Sequence, residues 1–389
     1  MRAAHATAPT LRIIVTADPR AWMGALQQAG HRAGATSSAA PSFLSLSLLL
    51  LVFVVSLLLA VGASAWFTRR LETISDLFDL SPGLLSLLGA LGANIPNYVA
   101  SFVAVASGQF VVGLGIILGS NIYNMAIILG ISTFASKAQQ GIALTRTAAR
   151  DVRVVAAYTL SIMLTTLLAV GLLSWRAGGA TLPLSIPVTV VLLATNLLSL
   201  GLFCMLAFHS LQRVPHRHPV TETPTALIDE ADYLPPGKRR MAATRSLGEA
   251  VLALVLALGG VIVMVQTGQA FAVDIHLSQA ILSLVVLAVA TSLPNTVVAF
   301  TLAWTDRASA CVEEVLSSNS INASLGIALP LLLWQHIHPD PVLFFPDALL
   351  MVALALIALI GALRQRVSRL TGFLLVLVYV SWVVVHAFA

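Results

Sequence analysis

Two short polar motifs recur inside long apolar stretches. Their residues offer neutral oxygens, the groups that hold a cation without carrying charge. Gly92-Ala93-Asn94-Ile95-Pro96-Asn97 returns as Ala290-Thr291-Ser292-Leu293-Pro294-Asn295, and Gly119-Ser120-Asn121-Ile122-Tyr123-Asn124 returns as Ser317-Ser318-Asn319-Ser320-Ile321-Asn322. Both motifs repeat at one offset of 198 residues, so chance is a poor explanation. Pro96 and Pro294 each remove a backbone donor and disturb the preceding turn. The freed carbonyls are then available to a cation or to water inside a helical bundle. Ser120 and Asn124 are four residues apart and share a helix face, as do Ser318 and Asn322. Small and amide residues in membrane helices often serve only to join helices. Four motifs in paired register favour a transport site instead.

The elements that must position these residues are membrane helices. The chain of 389 residues is 58% hydrophobic and only 10% charged, against about 25% charged in soluble domains. Apolar stretches of roughly 20 residues, long enough to cross a bilayer, lie at 43–66, 84–106, 110–134, 154–173, 184–208, 250–267, 277–304, 315–334, 342–363 and 370–388. The expected fold is therefore all-α integral membrane, with ten transmembrane helices. Residues 43–208 form a first five-helix repeat, 209–246 a Pro-rich polar linker and 247–389 a second five-helix repeat. Five spans separate the motif copies. Five is odd, so the second copy enters the membrane from the opposite side, giving an inverted-topology repeat of the kind common in secondary transporters.

Loop charge orients the bundle. With the N-terminus outside, the inner loops collect Arg69 and Arg70; Lys137, Arg146, Arg150 and Arg153; the basic residues of the linker; Arg307; and Arg364, Arg366 and Arg369. The outer loops keep only Arg176. This asymmetry makes the linker cytoplasmic. It also explains the formal charge of +5 without nucleic acid. Residues 1–42 are Ala- and Arg-rich and read as a presequence-like tail or an over-extended start, outside the fold. Cys204 and Cys311 lie in apolar segments and suggest neither a disulfide framework nor a metal site. No phosphate loop, nucleophile triad or dinucleotide fingerprint supports an enzyme, and no cofactor is implied. The pairs His216/His218 and His336/His338 read as solvated loop residues, and Asp347 as interfacial.

The paired motifs resemble the alpha-repeats of the calcium/cation antiporter superfamily, which includes the sodium/calcium exchangers. Its repeats read approximately G-T-S-x-P-E and then G-N-x-x-G-S-N-x-F-N. The resemblance covers nearly the whole chain after residue 42, including the five-plus-five layout with a cytoplasmic middle loop. It implies an ion site built from Asn94, Asn97, Ser120 and Asn124 in the first repeat and from Thr291, Ser292, Asn295, Ser318 and Asn322 in the second. The family's central acids fall on Asn97 and Asn295. The hydroxyl positions of the first repeat become Ala93 and Asn94, and two glycines of the second become Glu313 and Ser317.

These departures bear on the ion. Calcium usually takes six to eight oxygen ligands, several of them carboxylate. Burying a dication among neutral amides leaves about two uncompensated charges. Sodium strains such a site less, and the site offers no obvious titratable group for a proton. Glu314, Ser318 and Asn322 recur every four residues on one face. Glu314 then either lines a cytoplasmic vestibule or merely starts a helix together with Glu313, where an acid suits the dipole. The expected function is a secondary cation antiporter with sodium favoured over calcium at the central site and the lipid bilayer as its surroundings. The rival readings are a non-transporting protein that keeps the fold for assembly or regulation, and a channel.

Overall fold

In the computed structural model, the described residues are 43–77, 90–176, 182–183, 185–212, 236–305, 307–333, 336–337 and 345–388. They form helices joined by two short strand pairs. The tail 1–42, linker residues 213–235 and both His216 and His218 lie outside them.

Helix α1, Phe43–Leu77, packs along α6, Pro236–Asp274. Thirty-five and 39 residues at about 1.5 Å each exceed the roughly 30 Å hydrocarbon core. Both helices therefore project beyond it. Arg70 Nε lies 2.7 Å from Glu249 Oε2, tying α1 to α6, and Arg245 joins the same carboxylate at 2.8 Å. The last part of the expected linker, 236–246, thus belongs to α6 rather than to a loop. Hydropathy finds the apolar stretch of a helix, but helical hydrogen bonding continues past it into charged sequence. The same holds for α4, Arg146–Arg176, which outruns its expected span at both ends.

Two composite helices form the centre. The first, α3, runs Phe110–Tyr123, turns π-helical over Asn124–Ile128 and resumes as Leu129–Ala135. The second, α8, runs Ala308–Ile321, turns π-helical over Asn322–Ala328 and resumes as Leu329–Leu333. Asn124 and Asn322 open the π segments with identical dihedrals, φ −58° and ψ −47°. The sequence repeat is thus also a conformational repeat, and π segments inside α-helices are frequent at functional positions. Both helices are mostly buried, whereas α1, α5 (Ile186–Gln212) and α10 (Arg369–Phe388) turn apolar side chains such as Leu58, Leu197 and Leu370 outward, as lipid contact requires.

Helix α2, Ile95–Ala106, begins after a break at Asn94, whose φ of −91° and ψ of 0° leave the helical run. Pro96 sits in its first turn, where no intrahelical donor is needed. Its partner α7 is π-helical over Leu282–Leu287 and then helical through Ala288–Trp304, passing Pro294 without interruption. The two proline motifs are therefore not conformational copies. Gly119 lets α3 meet α7 closely, since a Cβ there would lie 2.0 Å from the Leu284 carbonyl oxygen. Among the described residues nine helices are long and apolar enough to cross a membrane, and Ile95–Ala106 is shorter. Part of the expected 84–106 span falls outside the described residues.

Strand β1 (Gly141–Ala143) pairs antiparallel with β4 (Arg366–Ser368), and β2 (Leu182–Pro183) with β3 (His336–Ile337). Each pair links a loop of the first half to one of the second. Gly141 has φ +105°, a conformation open to glycine, and packs against the backbone of β4.

Asp347, expected near a membrane boundary, has its side chain inside the protein rather than facing outward. It is buried at the start of α9, Phe345–Leu363. Trp382 Nε1 donates to its Oδ1 at 2.8 Å, and His386 Nε2 lies 3.2 Å from the same atom. These partners on α10 are long-range and invisible to local pattern. Trp382→Phe removes the indole donor and is expected to cost about 1.5–3 kcal/mol, as for other hydrogen bonds to charged groups. It should appear as a lower melting temperature of the detergent-solubilised protein.

Candidate functional site

Every residue expected at the site is buried: Asn94, Asn97, Ser120, Asn124, Thr291, Ser292, Asn295, Ser318 and Asn322 are at most 2% exposed. The break before α2 places Asn94 where it meets α7 and α8. Its Nδ2 donates to the Ala90 carbonyl at 2.7 Å and to Ser318 Oγ at 2.8 Å. Its Oδ1 accepts from Asn97 Nδ2 at 3.2 Å and from Asn295 Nδ2 at 2.7 Å. Asn94 is therefore a junction whose own amide is fully occupied, and it holds Asn97 and Asn295.

A second junction lies between α3 and α8. Asn121 Nδ2 donates to the Asn319 carbonyl at 3.5 Å, and Asn319 Nδ2 returns the bond to the Asn121 carbonyl at 3.0 Å. This reciprocity is that of a local two-fold relation between residues 198 apart. Their side-chain oxygens accept from the neighbouring pair: Asn124 Nδ2 donates to Asn319 Oδ1 at 2.9 Å, and Asn322 Nδ2 to Asn121 Oδ1 at 3.1 Å.

One pattern unites both junctions. Asn97, Asn124, Asn295 and Asn322 each donate through Nδ2 to another asparagine, and each has an Oδ1 that is buried without a hydrogen-bond partner. Rotating any of these amides would set two carbonyl oxygens against each other. The junction asparagines are fixed in turn by backbone carbonyls of Ala90, Asn121 and Asn319. Four buried acceptors left bare at two pairs of repeat-related positions call for an explanation, because such a group costs about 1–3 kcal/mol. Amide carbonyl oxygens are among the groups that can coordinate a hard cation.

The hydroxyls are arranged differently. Thr291 Oγ1 donates back to the Leu287 carbonyl at 2.8 Å, and Ser120 Oγ to that of Ala288 at 3.3 Å. Ser292 Oγ is buried without a partner. Asn121 and Asn319, which orient two of the four bare oxygens, are not among the site residues expected from sequence. Their signal was available, since they stand three residues before Asn124 and Asn322 in both copies.

Glu314 is 3% exposed, so in this conformation it does not line an open vestibule. Nor does it start a helix. Helix α8 begins at Ala308, and its first turn contains no acid. Ser318 Oγ donates to Glu314 Oε1 at 3.1 Å. Among the described residues no group of three or more His, Cys, Asp or Glu could hold a metal ion.

The helices thus form a multi-pass bundle around a buried polar centre. The comparisons agree. The family model described as sodium/calcium exchanger protein matches residues 48–210 and 243–388, and the chain belongs to that family. A putative antiporter, CaxA of Alkalimonas amylolytica, is 32% identical over 115 residues, which is 29% of this chain and 35% of that protein. The match thus spans about a third of that relative's length. The chain also shares the fold of the sodium-calcium exchanger NCX_Mj. Soaked with 2.5 mM sodium and 1 mM strontium, that structure has a TM-score of 0.59 at 18% identity, covering 87% of this chain and 98% of that one. Soaked without sodium or calcium, it gives 0.54, covering 86% and 97%.

Proposed function

We propose that this chain is a secondary cation antiporter of the exchanger type whose central site is neutral and takes sodium in preference to calcium. The reading adopts ten spans in two inverted halves, with the segment between α5 and α6 on the cytoplasmic side. The single observation that carries it is the set of four bare amide oxygens on Asn97, Asn124, Asn295 and Asn322. Ser292 Oγ is a fifth available oxygen, and Thr291, Ser120 and Ser318 keep lone pairs nearby. Helices α2, α3, α7 and α8, which carry these residues, pack on one another. A monovalent ion among neutral oxygens leaves one charge to balance, whereas calcium leaves two and loses the carboxylates it usually takes. Alternating access then follows from rocking one group of helices against the rest.

The test is radioactive uptake into proteoliposomes. Sodium loaded inside is expected to drive saturable exchange with external sodium, and calcium to be exchanged at least about tenfold less well, a difference of roughly 1.4 kcal/mol. Calcium uptake equal to that of sodium would sink the neutral-site reading. Rapid, unsaturable flux would indicate a channel instead.

A further inference from the structure

A neutral cage leaves a bound sodium ion with one uncompensated charge, and one buried carboxylate is wired into the cluster. The hydrogen bonds run in one direction. Asn97 and Asn295 donate to Asn94, Asn94 donates to Ser318, and Ser318 donates to Glu314. Every link points its hydrogen toward the carboxylate. A negative end strengthens each bond in such a chain and draws electron density onto the amide oxygens upstream. Those upstream oxygens include two of the bare ones, on Asn97 and Asn295.

Resting on the amide-cage reading, we propose that Glu314 is the counter-charge of the site and limits it to one monovalent cation. One carboxylate and one sodium ion sum to zero in a medium where net charge is expensive. Among the described residues, the helices that carry the cluster offer no competing cation, and Arg307, which precedes α8, is exposed. Neither α3, α7 nor α8 carries a basic side chain, and Cys311 and Glu313 are the other titratable residues on α8. Of the helices packed against α8, α4 is the one that bears charge. Its Arg146 and Arg150 are exposed, Asp151 and Arg153 are half-buried, and Arg153 Nε donates to the Ala362 carbonyl at 3.3 Å. Among the described residues, the other buried acid is Asp347, which is engaged by Trp382 and His386. The position equivalent to Glu314 in the first repeat is Ile116, so the counter-charge belongs to one half alone.

Glu314→Gln is the discriminating variant, because its amide oxygen still accepts from Ser318 while the charge is gone. Sodium-induced thermal stabilisation of the purified protein reports affinity without requiring transport. The variant is expected to keep the melting temperature of the ion-free protein and to bind sodium at least about tenfold more weakly. Glu314→Asp should restore most of that loss. The effect should persist in high choline chloride, since salt screens buried charges far less than exposed ones. A sodium response in Glu314→Gln equal to wild type would make the residue merely structural. Loss of the effect in choline chloride would return it to an exposed approach path. If Glu314→Gln does not fold, Ser318→Ala keeps the carboxylate and removes the hydroxyl that joins it to Asn94. It should also weaken sodium binding, and a sodium response equal to wild type overturns the proposal. Absence of a sodium response in wild type would overturn both this proposal and the cage itself, so the two failures are distinguishable.

Discussion

Asn94→Ala is expected to weaken sodium binding by about a hundredfold or more. The side chain makes no demand on the ion directly, since its own amide is fully occupied. What it does is aim two others. Without Asn94 Oδ1, the Nδ2 groups of Asn97 and Asn295 become buried donors without acceptors, at about 1–3 kcal/mol each. They can relieve this by rotating, which exchanges oxygen for N–H where oxygen is wanted. Two ligands are then lost or reversed, and about 2.7 kcal/mol corresponds to a hundredfold. Asn94→Asp keeps the acceptor for both amides and loses the donor to Ala90 and Ser318. It should lower the melting temperature while retaining a sodium response. Sodium-dependent thermal shifts on both variants check this. Wild-type affinity in Asn94→Ala would show that the amides are not held by this junction.

The way this junction escaped the sequence reading is instructive. The 198-residue offset located α3 and α8 and the paired asparagines Asn97/Asn295 and Asn124/Asn322, because a repeat that preserves spacing also preserves helix face. It could not reveal bond direction. Asn94 stands at a hydroxyl position in the resemblance and reads as a ligand from sequence, whereas its hydrogen bonds reach partners 201 and 224 residues away. Asn121 and Asn319 were overlooked for the opposite reason. They are identical in both copies, but only their contact across the bundle reveals that they orient Asn322 and Asn124. The spacing of Glu314, Ser318 and Asn322 correctly placed them on one face. The start of α8 was misjudged because a hydropathy window excludes charged residues that the helix includes. Membership in the sodium/calcium exchanger family was legible from the motifs and spans alone, because both are set by local pattern.

Restoring carboxylates should restore calcium, but only if the junction changes with them. Asn97→Asp and Asn295→Asp together replace two amides by near-isosteric acids at the positions where the resemblance to the exchanger repeats implies acids. In the native background this pair fails for a specific reason. Each Nδ2 that donated to Asn94 Oδ1 becomes an oxygen, so two carboxylates face a carbonyl that can only accept. The acids also repel each other, by about 4 kcal/mol for unit charges 4 Å apart at an effective dielectric constant of 20. The double variant is therefore expected to express poorly or melt earlier, with little calcium response. Adding Asn94→Ser supplies a hydroxyl that can donate to one carboxylate, as the family's pattern provides at this position. The triple variant is expected to gain calcium-induced stabilisation and to reverse the ion preference by at least about tenfold, or 1.4 kcal/mol. The measurement is the melting temperature against calcium and against sodium for the single, double and triple variants at matched ionic strength. If the double variant binds calcium as well as the triple does, Asn94 is not tuned to its amide neighbours. If the folded triple variant ignores calcium, the loss of carboxylates at 97 and 295 is not what turns the site away from a divalent ion.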